Sequence, residues 1–315
     1  MDGHRRILGA VLALAIVFLF GAQSASAADT LVRGDEACMA CHKSVRADAI
    51  AGIAQTRHGN KADARTPSCT SCHGPSDKHM AASGGESPDR VFKGPKKSGP
   101  EAINGACLTC HASGARNHWE GSKHQSEKLA CSNCHAVHTP HDAVLTKITQ
   151  PDVCFACHKT ERAQAHRISR HPVLEGKVTC SDCHNPHGST GPKLLAEANV
   201  NETCYTCHAE KRGPFLWEHA PVVDDCTNCH SPHGSTNAAL LKVRAPWLCQ
   251  QCHSGDHGKN IYSGANLPGG NATTINGAQG LANQSPPAQL NARACMNCHS
   301  QVHGSNHPAG AKFQR

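Results

Sequence analysis

One apolar run stands out along the chain, residues 7–20 (ILGAVLALAIVFLF). It follows His4-Arg5-Arg6 and precedes GAQSASAADT, where the small residues Ala25 and Ala27 form a cleavage pattern. The run is about 14 residues long against the roughly 20 that span a bilayer, so it predicts a secretory signal peptide over 1–28 rather than an anchor. Cleavage after Ala27 or Ala28 leaves about 288 residues, with Cys38 too far downstream to be a lipid-bearing terminus. No direct lipid anchor is therefore expected.

Beyond residue 20 the chain shows neither an apolar belt nor the alternation of strands. Regular structure should be sparse: short helices, much irregular chain and little or no β-sheet. Residues 161–170 predict a helix ending near His171-Pro172, and Pro214 predicts a further turn through Phe215, Leu216 and Trp217 toward His219. Residues 83–105, rich in Gly, Pro, Ser and Lys, and 254–287, rich in Gly, Asn, Ala and Gln, read as surface loops of low packing content.

Composition sharpens this picture. Hydrophobic residues make up 38% and aromatic ones 3% of 315, too little for an ordinary core, yet there are 20 cysteines. All fall into ten CxxCH motifs: Cys38/Cys41, Cys69/Cys72, Cys107/Cys110, Cys131/Cys134, Cys154/Cys157, Cys180/Cys183, Cys204/Cys207, Cys226/Cys229, Cys249/Cys252 and Cys295/Cys298. They close on His42, His73, His111, His135, His158, His184, His208, His230, His253 and His299. Such a motif attaches haem c: two thiols add to the vinyl groups and the histidine is the proximal ligand of iron. Zinc knuckles would favour paired CxxC elements, and a disulfide framework has no use for a histidine after every second cysteine. Ten covalently bound haems c then replace the missing core.

Of 25 histidines, fourteen remain once the proximal ten and His4 are set aside. Taken two motifs at a time, one histidine lies between the motifs and another follows them. This gives His58 and His79, His124 and His138, His171 and His187, His219 and His233, and His257 and His303 as distal candidates. His118 rivals His124, and His307 rivals His303. CSNCHAVH, CSDCHNPHGS and CTNCHSPHGS place His138, His187 and His233 at one offset. Three residues are too short for the chain to pass round its own porphyrin, so His233 should reach a different haem from the one His230 holds. Candidate ligands match irons one for one, and no motif is altered to CxxCK. Electron carriage is thus favoured over an oxidoreductase with one open haem, and no catalytic residue is assigned.

The motif spacing suggests one elongated domain, 29–315, built of five two-haem modules at about 38–79, 107–138, 154–187, 204–233 and 249–307. The formal charge is +7. Each ferric haem with its two propionates adds roughly one negative charge, which reverses that sign. Basic residues then neutralise propionates, and nucleic-acid binding is not expected.

The segments CFACHKT with RHPVLEGKVTCSDCHNPHGS, NETCYTCHAEKRGPFLWEHAPVVDDCTNCHSPHGS and CMNCHSQVHGSNHP resemble the periplasmic decahaem cytochromes of outer-membrane porin–cytochrome electron conduits, in the metal-reducing, iron-oxidising or dimethyl-sulfoxide-respiring branches. The resemblance implies an insulated haem wire lying largely inside an outer-membrane β-barrel partner. It implies a periplasmic or quinol-linked cytochrome on one side and an extracellular multihaem cytochrome or terminal reductase on the other. It also favours His124 over His118 and His303 over His307. A soluble periplasmic shuttle is the alternative. A compact chain of this size is roughly 50 Å across, more than the approximately 30 Å hydrocarbon layer.

Overall fold

The computed structural model describes residues 35–60, 62–83, 85–253 and 295–314. The expected signal peptide, the expected loop 254–287 and the candidate ligand His257 lie outside the described residues.

The motifs fold as single turns. In each of the last eight, the histidine amide donates to the carbonyl of the first cysteine, as in His135 to Cys131 at 2.9 Å and His230 to Cys226 at 3.1 Å. That bond sets positions one turn apart on one face, which brings two sulfurs and an imidazole together. Local caps start the turns. Ser68 Oγ accepts from Ser71 N, the Asp182 carboxylate accepts from Thr179 N, and the Asp225 carboxylate accepts from Thr227 N. Among the described residues the longest helices are Glu36–Val45, which holds the first motif, and Pro100–Leu108. Among the described residues β-structure is limited to isolated bridges, such as His184 with Leu195 and His230 with Leu241.

A polar side chain about one turn ahead of the first, third, fifth and seventh motifs ties each to the next motif. The Asp35 carboxylate accepts from Cys69 N at 2.7 Å, Asn104 Oδ1 from Cys131 N at 2.8 Å, Gln150 Oε1 from Ser181 N at 3.1 Å, and Asn201 Oδ1 from Cys226 N at 2.7 Å. All four are buried. The amides also donate: Asn104 to Leu129 O, Gln150 to Val144 O, and Asn201 to Val222 O and Val223 O. The equivalent positions of the ninth motif hold Ala245 and Pro246, which lack such a group.

Sulfurs follow the same order. The first cysteines of paired motifs sit side by side: Cys38 with Cys69, Cys107 with Cys131, Cys154 with Cys180, Cys204 with Cys226, and Cys249 with Cys295. Between pairs the second cysteines approach: Cys72 to Cys110, Cys134 to Cys157, Cys183 to Cys207, and Cys229 to Cys252. That alternation uses up every motif cysteine except Cys41 and Cys298, the second cysteines of the first and last motifs. Both are exposed. The apolar interior is small. Among the described residues the buried hydrophobic side chains are Ile103, Trp119, Ala130, Phe155 and Ala165.

Three local expectations need correction. The helix expected over 161–170 runs Lys159–Ala165. The chain leaves it so that Ser169 can pair with Ser235 through bonds of 3.1 and 2.8 Å. No turn forms through Phe215 to Trp217. Leu216 N donates to Asn306 Oδ1, and Trp217 exchanges two main-chain bonds with Ser305, so distant partners satisfy these amides and the helix starts at Ala220–Asp224. The expected loop 83–105 ends in the helix Pro100–Leu108 and packs earlier too. Arg90 N donates to His73 O, and its guanidinium donates to Cys72 O at 2.7 Å.

Candidate haem sites

Imidazole nitrogens bind metals at about 2 Å, so two rings on opposite sides of one iron have centres roughly 6 Å apart. Among the described residues nine pairs of rings meet that spacing, each joining a proximal histidine to a distal candidate. They are His42–His79 at 5.9 Å, His58–His111 at 5.9 Å, His73–His138 at 6.1 Å and His124–His158 at 6.1 Å. Further along lie His135–His187 at 6.1 Å, His171–His208 at 6.3 Å, His184–His233 at 6.1 Å, His219–His253 at 6.1 Å and His230–His303 at 6.0 Å. His233 thus faces His184 and not His230. His124 and His303 face proximal rings. Of their rivals, His307 accepts from Ala309 N at 3.1 Å, and the His118 carbonyl packs against Gly188.

The pairs follow a register. The histidine inside a module reaches forward to the first motif of the next module: His58 to His111, His124 to His158, His171 to His208 and His219 to His253. The histidine after a module reaches back to the second motif of the previous one: His138 to His73, His187 to His135, His233 to His184 and His303 to His230. His79 has no earlier module and turns to His42. At three junctions the two arms are bonded to each other. His124 Nδ1 donates to Pro186 O, His171 Nδ1 to Pro232 O and His219 Nδ1 to Val302 O, each carbonyl directly preceding the histidine that reaches back.

Donation from Nδ1 fixes the tautomer and leaves the Nε2 lone pair for iron. Proximal rings use the same device: His73 donates to Arg90 O, His184 to Lys193 O, His230 to Ala239 O and His299 to Lys312 O. To present those carbonyls, Lys193 and Leu194 adopt φ of 53° and 59°, and Ala239 and Leu240 adopt 54° and 58°. Two adjacent left-handed residues cost roughly 1–2 kcal/mol each. The identical strained turn in both places is held by the bond that orients the ligand. Burial pushes the imidazoles of His58, His73, His187, His233 and His303 below their ordinary value, which favours the neutral ring a metal binds.

The donor set therefore fits haem c: two thiols and an imidazole on one turn, and a second imidazole across a gap of one iron. Cys41 and Cys298 differ from the other thiols in their surroundings. Among the described residues the other eighteen each lie beside a cysteine of another motif. Cys41 lies within the helix Glu36–Val45, and Cys298 N donates to Cys295 O at 3.1 Å. What the motif reading missed were the ties Asp35, Asn104, Gln150 and Asn201, and the carboxylate of Asp142 beside His135. Recurrence of a polar residue one turn ahead of alternate motifs was the available signal for the ties. No local pattern marks Asp142.

Comparison with known proteins adds three findings. A family model described as a doubled CXXCH motif matches residues 171–213 and 219–258. One described as cytochrome c-type protein NrfB-like matches 69–150. The multiheme cytochrome MtrA of Shewanella baltica is 43% identical over 288 residues, covering 90% of this chain and 82% of the relative.

Proposed function

The chain belongs to the periplasmic decahaem cytochromes of porin–cytochrome electron conduits, and from that premise we propose that it carries electrons between the periplasm and the cell exterior through an outer-membrane β-barrel partner. It is an electron-transfer protein with covalently bound haem c, which supplies one-electron iron chemistry. A periplasmic or quinol-linked cytochrome is its exchange partner on the inner side. An extracellular multihaem cytochrome or terminal reductase serves on the outer side.

The proposed ligand set is the ten CxxCH histidines with His58, His79, His124, His138, His171, His187, His219, His233, His257 and His303. All twenty motif cysteines, Cys41 and Cys298 included, are its proposed thioether positions. The observation that carries the ligand set is the nine ring pairs at 5.9–6.3 Å. His257, which lies outside the described residues, is proposed as the tenth distal ligand. Five two-haem modules are supported by the neighbouring first cysteines and by the four polar ties.

The ligand set is checked by low-temperature EPR of the ferric protein, which should contain low-spin iron only; a stoichiometric high-spin signal would contradict it. His257→Ala should convert one iron in ten to high spin, and an unchanged spectrum would remove His257 from the set. The conduit role is checked by detergent extraction of outer membranes. The cytochrome should co-purify with a β-barrel protein, and recovery only in the soluble periplasm would instead support the shuttle.

A further inference from the structure

His135 stands apart from the other proximal histidines whose Nδ1 partners are described. His73, His184, His230 and His299 donate to main-chain carbonyls, whereas His135 Nδ1 donates to the Asp142 carboxylate at 2.7 Å. His158 and His208 also have carboxylates nearby, but Glu161 and Glu210 stand 3.7 and 3.8 Å away, too far for a hydrogen bond. The Asp142 side chain is only 14% exposed, and that of His135 is 33% exposed. A charge-assisted bond so placed is short, strong and little screened. The carboxylate is also aimed by its own turn: its second oxygen accepts from Val144 N at 3.4 Å at the start of the 3₁₀ turn Ala143–Leu145.

A carboxylate that holds the Nδ1 proton makes the ring a more basic donor at Nε2, as in carboxylate–histidine–metal triads. It also places negative charge near the iron. Both effects stabilise the ferric over the ferrous state, and hydrogen bonding to an axial ligand is one of the levers by which a protein sets haem potential. A main-chain carbonyl provides the bond without the charge. We infer that Asp142, acting through His135, lowers the reduction potential of the haem that Cys131 and Cys134 would hold and makes it a low-potential step inside the series. Asp142 is a positioning residue in this role, since it acts through the His135 ring. Reduction adds one electron, supplied in the test by dithionite; no bond forms or breaks, and the Nδ1 proton stays in its hydrogen bond.

This inference rests on the proposed ligation of that iron by His135 and His187. The test uses the full decahaem protein in a mediated redox titration followed at the haem α-band. Asp142→Asn keeps an acceptor of the same shape and removes the charge. About one tenth of the absorbance change should move to more positive potential. The expected shift is at least a tenfold change in the reduction equilibrium, about 59 mV for one electron. The His135 and His187 planes lie 8° apart. The ferric EPR change should therefore stay within the rhombic signals given by near-parallel ligands. Asp142→Glu, which retains a carboxylate, should titrate close to the wild type.

An unshifted titration of Asp142→Asn would overturn the inference. So would equal shifts in the Asn and Glu variants, which would show a packing effect. A high-spin iron in Asp142→Asn alone would also overturn it, reducing Asp142 to a prop for the ring. High-spin iron in the wild type would instead count against the ligation beneath the inference, so the two failures are distinguishable.

Discussion

At the scale of single residues, the backbone next to the proposed ligands is as constrained as their rings. Gly188 and Gly234 follow His187 and His233 with φ of +113° and +146°. A Cβ on either would overlap a carbonyl oxygen, that of His118 or of Gln164. Gly234→Ala should therefore displace His233 and turn the iron at Cys180 and Cys183 high-spin, visible by EPR as one centre in ten. Gly105 is the contrasting case, in mid-helix with nothing within 4 Å of the added carbon. Gly105→Ala should stabilise the protein by about 0.5–1 kcal/mol in thermal or denaturant unfolding. The HGS recurrence after His187, His233 and His303 was visible in the sequence; that its glycine admits a neighbouring carbonyl in two cases was not, because those carbonyls belong to remote segments.

At the scale of elements, the polar ties decide how two motif turns are set against each other. Asn201→Ala would leave the half-buried amide of Cys226 without its acceptor, and the carbonyls of Val222 and Val223 without their donor. A fully buried group left unpaired costs roughly 1–3 kcal/mol, so these half-buried ones should cost less. The expected result is a lower unfolding midpoint and a weaker exciton couplet in Soret circular dichroism, which reports the spacing of neighbouring haems. A couplet unchanged from wild type would confine Asn201 to stability alone. Asp35 tests the same element from the other side. It is fully buried, and the Oδ1 atom has no hydrogen-bond partner among the described residues. Replacing the carboxylate with the amide found at Asn104 and Asn201 removes a buried charge. Asp35→Asn should raise the unfolding midpoint, and a lowered one would show that the charge itself is needed.

At the scale of the whole molecule, haem is the core. Five buried hydrophobic side chains among the described residues cannot order a chain of this length. A chain produced without haem attachment should show little far-ultraviolet helical signal and be digested rapidly by protease. The assembled protein should display two kinds of ferric signal. Ring planes stand 68°, 77° and 81° apart at His73–His138, His58–His111 and His124–His158, which, with those rings as the proposed ligands, predicts three large-gmax signals. The pairs at 8°, 14°, 24°, 25° and 28° predict rhombic ones. A ferric spectrum without a large-gmax component would contradict those ring orientations. From the chain alone one can read the haem number, the proximal ligands, the stock of distal candidates and the poverty of other core material. All of these are chemistry carried within five residues or counted along the chain, so they do not depend on what packs where. The partners of the nine described distal candidates, the tie between motif turns, and the carboxylate on His135 rather than a carbonyl were decided only by the tertiary structure. Each joins groups whose approach depends on how intervening turns and loops close, and no local spacing fixes that geometry.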